Sequence, residues 1–576
     1  MRAGPSHRFT GAIRLTIPGA GILSIPAGMF LPDLRHCPVV SDLLAPEGWS
    51  RQRALQTPRS DTKKETESAM ESFDYIIVGA GSAGCALAAR LSEDPACSVL
   101  VLEAGGADTK ELIHVPPAWP ALWGSEVDWD YTTTAQGGTA DTTHKWPRGK
   151  VLGGSSSINA MVFLRGHRAD YNGWAQSGAL GWGYQDVLPY FKRMECVAGK
   201  DAAFRGSSGP MQPHVAVNPN PMSFAFLDAA RELGHPMTSD FNGAQQEGAG
   251  WHELSIHDGK RQSTAVAYLH PAMGRANLTV LTGAHTRRLI LSGARCTGVE
   301  YVRDGQLSQA SASAEVIVCA GAVDSPRLLL LSGVGPADHL RAVGVKVAHD
   351  LRGVGQNLHD HPLLCFVTEA GQVIPPGNNN HAEVSMLFSS RSGLPGPDMQ
   401  FMFIHVPFHP PGLESAPNSY TFGISAVPIS RGSIKLASAD PEQKPLINPD
   451  YGIEAEDIKR LLFGLKLARE MNATKALSAW GKAEAPASAG VQDEAGLRRF
   501  VARSINTYYH PVGSCKMGVD DMAVVDPQLR VHGLSGLRVA DASVIPTVPC
   551  VNTNPASIMV GEKAADLVRG RGNGRK

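Results

Sequence analysis

Residues 73–84 have the sequence FDYIIVGAGSAG, and this stretch decides the fold. The apolar run Phe73–Val78 is short and β-rich, as is typical of a buried strand. A G-x-G-x-x-G turn follows at once, and the small residues of Cys85–Leu91 predict a helix. Ser98–Leu102 is the next strand candidate, and Glu103 ends it, about 20 residues after the glycines. This order is the complete dinucleotide-binding fingerprint, and it predicts an α/β, Rossmann-like domain.

Each glycine of the turn has its own task. Gly79 permits the tight turn, Gly81 lets the backbone approach a pyrophosphate, and Gly84 lets helix and strand pack closely. The positive end of the helix dipole stabilises the phosphate charge, and Glu103 is expected to hold the ribose hydroxyls. Four neighbours are expected at the same ligand, namely Ala80, Ser82, Ala83 and Ala104.

Composition restricts the class of protein. The chain has 576 residues, too many for one compact core, so two closely joined domains are expected. A formal net charge of −1 gives no electrostatic argument for binding nucleic acid or an anionic membrane surface. The nine cysteines are scattered, which argues against a zinc cluster or a disulfide framework, so no metal site is predicted and a reducing, cytoplasmic location is expected. The chain contains no long uninterrupted apolar stretch, so no membrane-spanning helix is predicted.

A second stretch of small residues, Gly149–Asn159, has the sequence GKVLGGSSSIN. Such a density of small residues lets a backbone lie against a flat ligand. A flexible linker is the alternative, but Trp146, Val151, Leu152 and Ile158 within or beside the stretch argue against it.

These stretches resemble the glucose–methanol–choline oxidoreductase family, whose members use FAD to oxidise alcohols. Further segments carry the resemblance, in family order, from about Phe73 to about Val568: Gly321–Gly335, Gly353–His361, Tyr509–Gly518, Leu537–Ser543 and Asn552–Pro555. The resemblance implies hydride transfer from a CH–OH group to FAD. It also implies an FAD-binding domain with an inserted substrate domain built on an antiparallel sheet.

In this architecture both domains are discontinuous. We expect the FAD-binding domain to comprise residues 70–230, 275–365 and 505–576, and the substrate-binding domain to comprise 231–274 and 366–504. Apolar residues at helical spacing predict a helix over residues 454–472 that covers the substrate sheet.

The resemblance assigns the catalytic base. His510 precedes the segment Pro511–Gly518, and histidine is suited to take the substrate proton because its ordinary pKa is about 6.5. Family members carry a second histidine or an asparagine opposite this base. Asn554 is preferred for that position and Asn552 is the competing candidate; the amide would hydrogen-bond the substrate oxygen as negative charge develops there. Either asparagine could instead only order its loop.

Further cofactor contacts follow from the resemblance. They are expected from Leu152 and Gly153, from Asn159, Ala160, Met161 and Val162 along the flavin ring, from Thr286 at the adenine, and from Asp541 and Ala542 near the pyrophosphate and ribityl chain. Asp541 is expected to act through backbone amides, since its charge would repel a phosphate. Some members attach FAD through a histidine just before the signature asparagine. Ile158 occupies that position here and cannot form the bond, so non-covalent FAD is predicted.

The substrate and the electron acceptor are less determined. Residues 371–415 are expected to line the substrate cavity with Phe401–Ile404 and Val406–Phe408, while the acids Glu383, Asp398 and Glu414 are sparse. This favours a neutral primary alcohol over choline, which is best bound by an aromatic cage with nearby negative charge; ordinary sheet core is the alternative interpretation. His361 and His405 are further candidates for substrate contact.

Other functions and acceptors remain open at this point. A lyase or decarboxylase on the same fold and a non-catalytic FAD-binding protein are the alternatives, and the intact His510 region argues against both. Quinone, a dye-like acceptor and oxygen are all possible. The bulk of Tyr508, two residues before His510, favours a dehydrogenase over an oxidase.

The first 69 residues lie outside the resemblance. Residues 1–32 contain Arg2, Arg8 and Arg14 but no acid, so a targeting segment is one interpretation. A disordered N-terminal extension over residues 1–69 is preferred, because the first predicted strand of the domain follows Met70 directly.

Overall fold

The computed structural model describes residues 12–17, 21–26, 71–410 and 413–570 of the chain. Within the predicted extension 1–69, Ala12–Ile17 and Gly21–Pro26 form an antiparallel pair of strands. The prediction of a disordered extension over residues 1–69 stays a prediction. The rest of the extension lies outside the described residues.

The fingerprint segment folds as predicted. The strand Glu71–Val78 leads into the helix Ser82–Leu91, and the parallel strand Val99–Leu102 returns beside the first. Ile76 and Ile77 are fully buried, and each of the four residues of Val99–Leu102 exposes at most 1% of its surface. A continuous apolar run buried on both faces is what a parallel sheet covered by helices requires.

Within the described residues, the first sheet has seven strands with a parallel core and two antiparallel strands at one edge. Its order is Leu278–Leu281, Val99–Leu102, Glu71–Val78, Gln306–Val318, Arg295–Arg303 and His285–Ser292, with Leu537–Val539 also pairing with Gln306–Val318. The helices Ser82–Leu91, Gly321–Leu331 and Asn554–Val568 pack around it.

The second sheet is antiparallel and also has seven strands in the described residues. Its order is Gly481–Glu484, Pro362–Ala370, Ser419–Ala426, Met399–Ile404, Ala382–Phe388 and Gly248–Trp251, with Asn506–Thr507 also pairing with Pro362–Ala370. The helix Ala455–Asn472 packs on one face of this sheet, which confirms the helix predicted over 454–472. The opposite face is turned to the cavity described below.

The domain boundaries from the sequence remain predictions, but two of them cut through this sheet. The strand Pro362–Ala370 runs continuously across the boundary placed between residues 365 and 366. Asn506–Thr507 pairs with that strand, although its segment was assigned to the FAD-binding domain. Local sequence signals could not locate these crossings, because they depend on pairing between distant segments.

Shorter elements connect the two sheets. The remaining strands are Tyr131–Thr132, Lys145–Trp146, Val162–Phe163, His214–Val215, Glu253–Leu254, Ile256–His257, Lys260–Arg261, Val334–Gly335, His349–Asp350, Ser433–Lys435 and Leu446–Asn448. The remaining helices are Glu111–His114, Pro116–Leu122, Gly137–Thr139, Gly154–Ser157, Arg168–Gln176, Tyr184–Met194, Pro221–Glu232, Ala265–Leu269, His270–Ala272, Ala337–Ala342, Lys475–Ser478, Pro486–Ala489, Glu494–Ser504 and Ala542–Val544.

Candidate active site

A long cavity runs from the glycine-rich turn to His510, between the two sheets. Gly79, Gly81 and Glu103 line one end, at the carboxyl ends of parallel strands where open α/β sheets bind their ligands. His510 and Asn552 line the other end. The cavity therefore joins the predicted nucleotide site to the predicted catalytic residues.

The glycine-rich end is built to receive a phosphate. The helix Ser82–Leu91 begins after Gly81 without a side-chain cap and without an acid in its first turn, so its free N–H groups and its dipole are available to an anion. Gly154 approaches so closely that its Cβ, if it had one, would lie 2.7 Å from the Cα of Gly81. The two glycine-rich segments thus form one narrow cradle that fits the pyrophosphate of FAD.

Glu103 closes this end of the cavity. Its two carboxylate oxygens accept hydrogen bonds from the backbone N–H groups of Ala80, at 2.9 Å, and Gly105, at 2.8 Å. Burial raises the pKa of Glu103 to about 7, against the opposing effect of these two bonds. Each oxygen retains a lone pair that a ribose hydroxyl could use.

Asp541 and Thr286 also line the cavity, as does Ala542. The Asp541 carboxylate accepts bonds from Gly321 N at 2.8 Å, Ser325 Oγ at 2.5 Å and Ser543 N at 2.7 Å. Oδ2 takes two of these bonds and Oδ1 takes one, so much of the acceptor capacity of the carboxylate is used within the protein. Contact with the cofactor through backbone groups stays a prediction. Thr286 Oγ1 is buried and has no hydrogen-bond partner, which fits a polar ligand at this point.

Four residues expected at the cofactor lie behind the cavity wall. Ala80, Gly84, Leu152 and Gly153 do not line the cavity, whereas Ser82, Ala83 and Ala104 do. A Cβ at Gly84 would overlap the carbonyl oxygen of Gly79, so this glycine serves close packing. Gly153 N donates to Ala80 O at 2.8 Å and ties the two glycine-rich segments together. Direct contact of these four residues with the cofactor stays a prediction.

The segment expected along the flavin ring lines the middle of the cavity. Asn159, Ala160, Met161 and Val162 all face it, and Ile158 faces it as well. Met161 has a left-handed backbone with φ of 60°, and its N–H donates to Asn159 Oδ1 at 3.0 Å. This local turn presents successive backbone groups to the same space.

His510 is held by its backbone and by the residue before it. Tyr509 has φ of 66°, a left-handed conformation that is uncommon for a bulky residue. The His510 N–H donates to the buried carboxylate of Asp360 at 2.6 Å. Thr507 Oγ1, at 2.5 Å, and the Tyr451 hydroxyl donate to the same carboxylate. Asp360 therefore fixes the turn that carries the histidine.

The ring of His510 lies between two partners. Its Nδ1 is 2.9 Å from His361 Nδ1, and its Nε2 is 3.1 Å from Asn552 Nδ2. Gln400 Nε2 donates to Asn552 Oδ1 at 3.4 Å, so the amide N–H₂ of Asn552 faces the histidine. This network assigns a lone pair to His510 Nε2 and the ring proton to Nδ1, where it is donated to His361.

Burial keeps His510 neutral. Its pKa lies well below the ordinary value of 6.5, first because the ring is buried and then because His361 and Arg148 lie nearby. Burial likewise lowers the pKa of His361 to about 3. A neutral imidazole whose Nε2 carries a lone pair, here beside Asn552 at the cavity, can accept a proton.

The preference for Asn554 over Asn552 is corrected. Asn554 Nδ2 donates to Ser82 Oγ at 2.8 Å, beside the glycine-rich turn, while Asn552 contacts His510. The helix Asn554–Val568 begins at Asn554, so the chain turns between the two residues and directs them apart. Sequence order alone could not separate two asparagines on one short loop.

An aromatic cluster at the His510 end was not predicted from the sequence. Trp119, Trp123, Phe408 and Tyr509 all line the cavity. Ring centroids are 4.8 Å apart for Trp119 and Trp123, and 4.5 Å apart for Trp123 and Tyr509. Both tryptophans come from the segment PPAWPALW at residues 116–123, whose only sequence signal is its aromatic content.

The prediction that residues 371–415 line the substrate cavity is only partly correct. Met402, Ile404 and Phe408 line the cavity, but Phe401 and Phe403 alternate to the other face of the sheet and pack in its core. Neither Glu383 nor Asp398 lines the cavity. His405 does not line it either, and its ring lies against His381 with centroids 5.7 Å apart.

Comparison with known proteins now decides the family. The sequence profile of the GMC oxidoreductase N-terminal region matches residues 73–363, and that of the C-terminal region matches residues 428–561. The chain belongs to the GMC oxidoreductase family. It is accordingly an FAD-dependent oxidoreductase that acts on CH–OH groups.

Similar GMC proteins cover nearly the whole chain. Human mitochondrial choline dehydrogenase is 40% identical over 554 residues, which cover 90% of this chain and 92% of the human protein. The oxygen-dependent choline dehydrogenase of Rhizobium etli is 41% identical, with coverage of 86% and 96%. Pyridoxine 4-oxidase from Mesorbium loti has the same fold, with a TM-score of 0.83, 35% identity and coverage of 86% and 98%. These likenesses show the expected fold, an FAD-binding domain with a substrate domain.

One further property concerns membranes. In the part of this GMC enzyme that the structure describes, none of the helices combines the length and the hydropathy needed to span a bilayer.

Proposed function

We propose that this enzyme oxidises an uncharged primary alcohol with an apolar tail to the aldehyde, with His510 as the base. FAD, when bound, supplies the hydride acceptor. His510 Nε2 accepts the hydroxyl proton, and Asn552 Nδ2 donates to the substrate oxygen as negative charge develops on it. His361 keeps the proton of His510 on Nδ1, so that Nε2 carries the lone pair; this lone pair accepts from Asn552 Nδ2, and the substrate hydroxyl would take that amide's place at Nε2.

The observation that carries the choice of substrate is the lining of the His510 end. Trp119, Trp123 and Phe408 form an apolar aromatic wall there. The acids that line the described cavity are Glu103, Asp324 and Asp541, and each is bound by groups of the nucleotide half. An apolar wall without a carboxylate favours a neutral alcohol, whose apolar part gains by leaving water.

Choline is the second candidate. The cluster of Trp119, Trp123, Phe408 and Tyr509 is also the type of cage that binds a quaternary ammonium by cation–π attraction. Two of the similar proteins are named choline dehydrogenases. Glu383, one of the acids of the predicted substrate wall, is bound by Asn220 N, Ser223 Oγ and Asn379 Nδ2 and is fully buried, so it adds no charge to the cage.

A substrate panel tests this choice. Turnover of benzyl alcohol, hexanol, pyridoxine and choline is measured with an artificial electron dye at several concentrations of each. A neutral alcohol is expected to give the highest kcat/KM, at least tenfold above choline. Trp123→Ala should lower that kcat/KM and leave the FAD absorbance unchanged. Choline as the best substrate would overturn the proposal.

The acceptor and the attachment of FAD complete the proposal. Tyr508 lines the cavity with its ring 4.6 Å from that of His510, where its bulk restricts oxygen, so a dehydrogenase is favoured over an oxidase. Repeating the panel with oxygen alone tests this, and hydrogen peroxide formed as fast as dye is reduced would contradict it. FAD is proposed to be non-covalent because Ile158 carries no nucleophile.

A further inference from the structure

Arg261 is a buried cation without a counter-charge. Only 2% of its surface is exposed, on the short strand Lys260–Arg261. Among the described arginines with less than a tenth of their surface exposed, the others have carboxylate partners: Arg165 with Glu195, Arg205 with Glu195, Asp240 and Glu253, Arg327 with Asp324, and Arg538 with Glu315. Arg261 has no carboxylate partner among the residues that the structure describes. Burying an uncompensated charge is costly, so an anion is expected to approach it.

The hydrogen-bond partners of the Arg261 side chain are all uncharged. Nε donates to Ile113 O at 2.7 Å, and Nη1 donates to Ser156 O at 3.1 Å and to Asn159 Oδ1 at 2.8 Å. Nη2 is buried without any hydrogen-bond partner. Burial alone lowers the pKa of Arg261 to about 9, and no neighbouring charge opposes it. At neutral pH the guanidinium is therefore still charged.

Asn159 places this charge beside the flavin part of the cavity. Its Oδ1 accepts from Arg261 and from Met161 N, so its amide N–H₂ is directed away from Arg261, and the residue lines the cavity. Earlier in the same segment, Gly154 lies against Gly81 in the phosphate cradle. The residue after it, Ala160, accepts from Asn380, which in turn accepts from Trp119 of the aromatic cluster. Asn159 thus lies between the glycine cradle and the aromatic cluster.

We propose that the Arg261 guanidinium, acting through Asn159, stabilises the negative charge that the flavin acquires in the reaction. The alcohol loses a proton to His510 and a hydride, which is a proton with two electrons, to FAD. The oxidised flavin is neutral, so it gains one negative charge while His510 gains one positive charge. A positive charge near the flavin makes this reduction more favourable. Arg261 is a positioning residue that acts on the flavin through a neighbour.

Sulfite binding measures this effect without catalytic turnover. Sulfite adds to the oxidised flavin, bleaches its absorbance and leaves negative charge on the ring. Arg261→Met, Arg261→Gln and Arg261→Lys are compared, and Lys260→Met, which removes an exposed positive charge from the adjacent residue, is the control. The two neutral variants should bind sulfite at least tenfold more weakly, and the flavin reduction potential should fall correspondingly by about 30 mV. Arg261→Lys should stay within threefold of the unchanged protein, and Lys260→Met should match it.

The lysine variant separates charge from structure. Lysine keeps the charge but cannot reproduce the bonds to Ile113, Ser156 and Asn159 together. If the lysine, glutamine and methionine variants are all equally impaired, or if the neutral variants bind sulfite as the unchanged protein does, the proposal is overturned. If the neutral variants lose oxidised FAD, Arg261 is needed to hold the cofactor itself and the proposal is overturned.

Discussion

Arg148 Nη2 donates to the carbonyl oxygen of Tyr509 at 2.8 Å. The guanidinium thereby secures the left-handed residue that precedes His510, and it also lies close enough to lower the pKa of that histidine. One side chain thus influences both the direction and the charge state of the proposed base.

This arrangement predicts the pH dependence of flavin reduction. The base must be neutral to react, and its pKa lies well below 6.5 because of burial, His361 and Arg148. The rate constant should therefore be constant from pH 9 to 6.5 and fall only at lower pH, as His510 becomes protonated. In Arg148→Met the pKa should rise toward 6.5, so the fall should begin at higher pH. Stopped-flow reduction across this range measures both profiles, and an inflection above pH 6.5 in the unchanged enzyme would contradict the assignment.

Removal of the base should slow the chemistry and spare the cofactor. His510→Ala is expected to lower the rate constant of flavin reduction by roughly 10²–10⁴, the usual scale for a lost general base. The FAD content should match that of the unchanged enzyme, because the His510 ring contacts His361 and Asn552. Reduction at the normal rate in this variant would refute the mechanism.

Substitution of the two asparagines by alanine should affect different steps, flavin reduction for Asn552 and FAD binding for Asn554. Asn552→Ala is expected to slow flavin reduction by about one to two powers of ten, since it removes a donor to the developing oxyanion. Asn554→Ala should instead weaken FAD binding, because Asn554 holds Ser82 at the phosphate cradle. Titration of the apoproteins with FAD, together with stopped-flow reduction, distinguishes them. Slow reduction with normal FAD affinity in Asn554→Ala would restore the assignment made from sequence.

Gln400 should act only through Asn552. Gln400→Met removes the donor that orients the Asn552 amide, so reduction should slow by about tenfold, in keeping with the loss of one oriented hydrogen bond. In the Asn552→Ala background the same change should have almost no effect, because its target is gone. A double-mutant cycle measures this coupling. Additive effects of the two changes would show that Gln400 has a separate role.

The FAD is expected to leave the protein on denaturation. Ile158 lines the cavity at the position where a linking histidine would stand, and an aliphatic side chain cannot bond the flavin. Acid precipitation should release all flavin absorbance into the supernatant. Flavin that remains with the pellet would contradict this prediction.

Features of this chain that depend on neighbouring residues are predictable from the sequence, and those that depend on tertiary packing are not. The turn Gly79–Gly84 and its flanking strands were predicted correctly, because neighbouring residues carry that signal. The choice between Asn552 and Asn554 was wrong, because it depends on where a helix begins. Trp119 and Trp123 were missed, because Trp119 packs on Trp123 and Trp123 reaches Tyr509 across nearly 400 residues of chain, and only tertiary packing brings them together.

The pairing of Asn506–Thr507 with Pro362–Ala370 affects any attempt to recombine these enzymes. His361 directly precedes one of these strands and His510 follows the other by three residues, so the pair of histidines is aligned by the register of two chain segments that are far apart in sequence. In a chimera with its junction at residue 365 or 505, a strand from one parent would have to pair with a strand from the other parent. Exchange of the substrate-binding half should therefore carry residues 359–370 and 506–510 as a single unit.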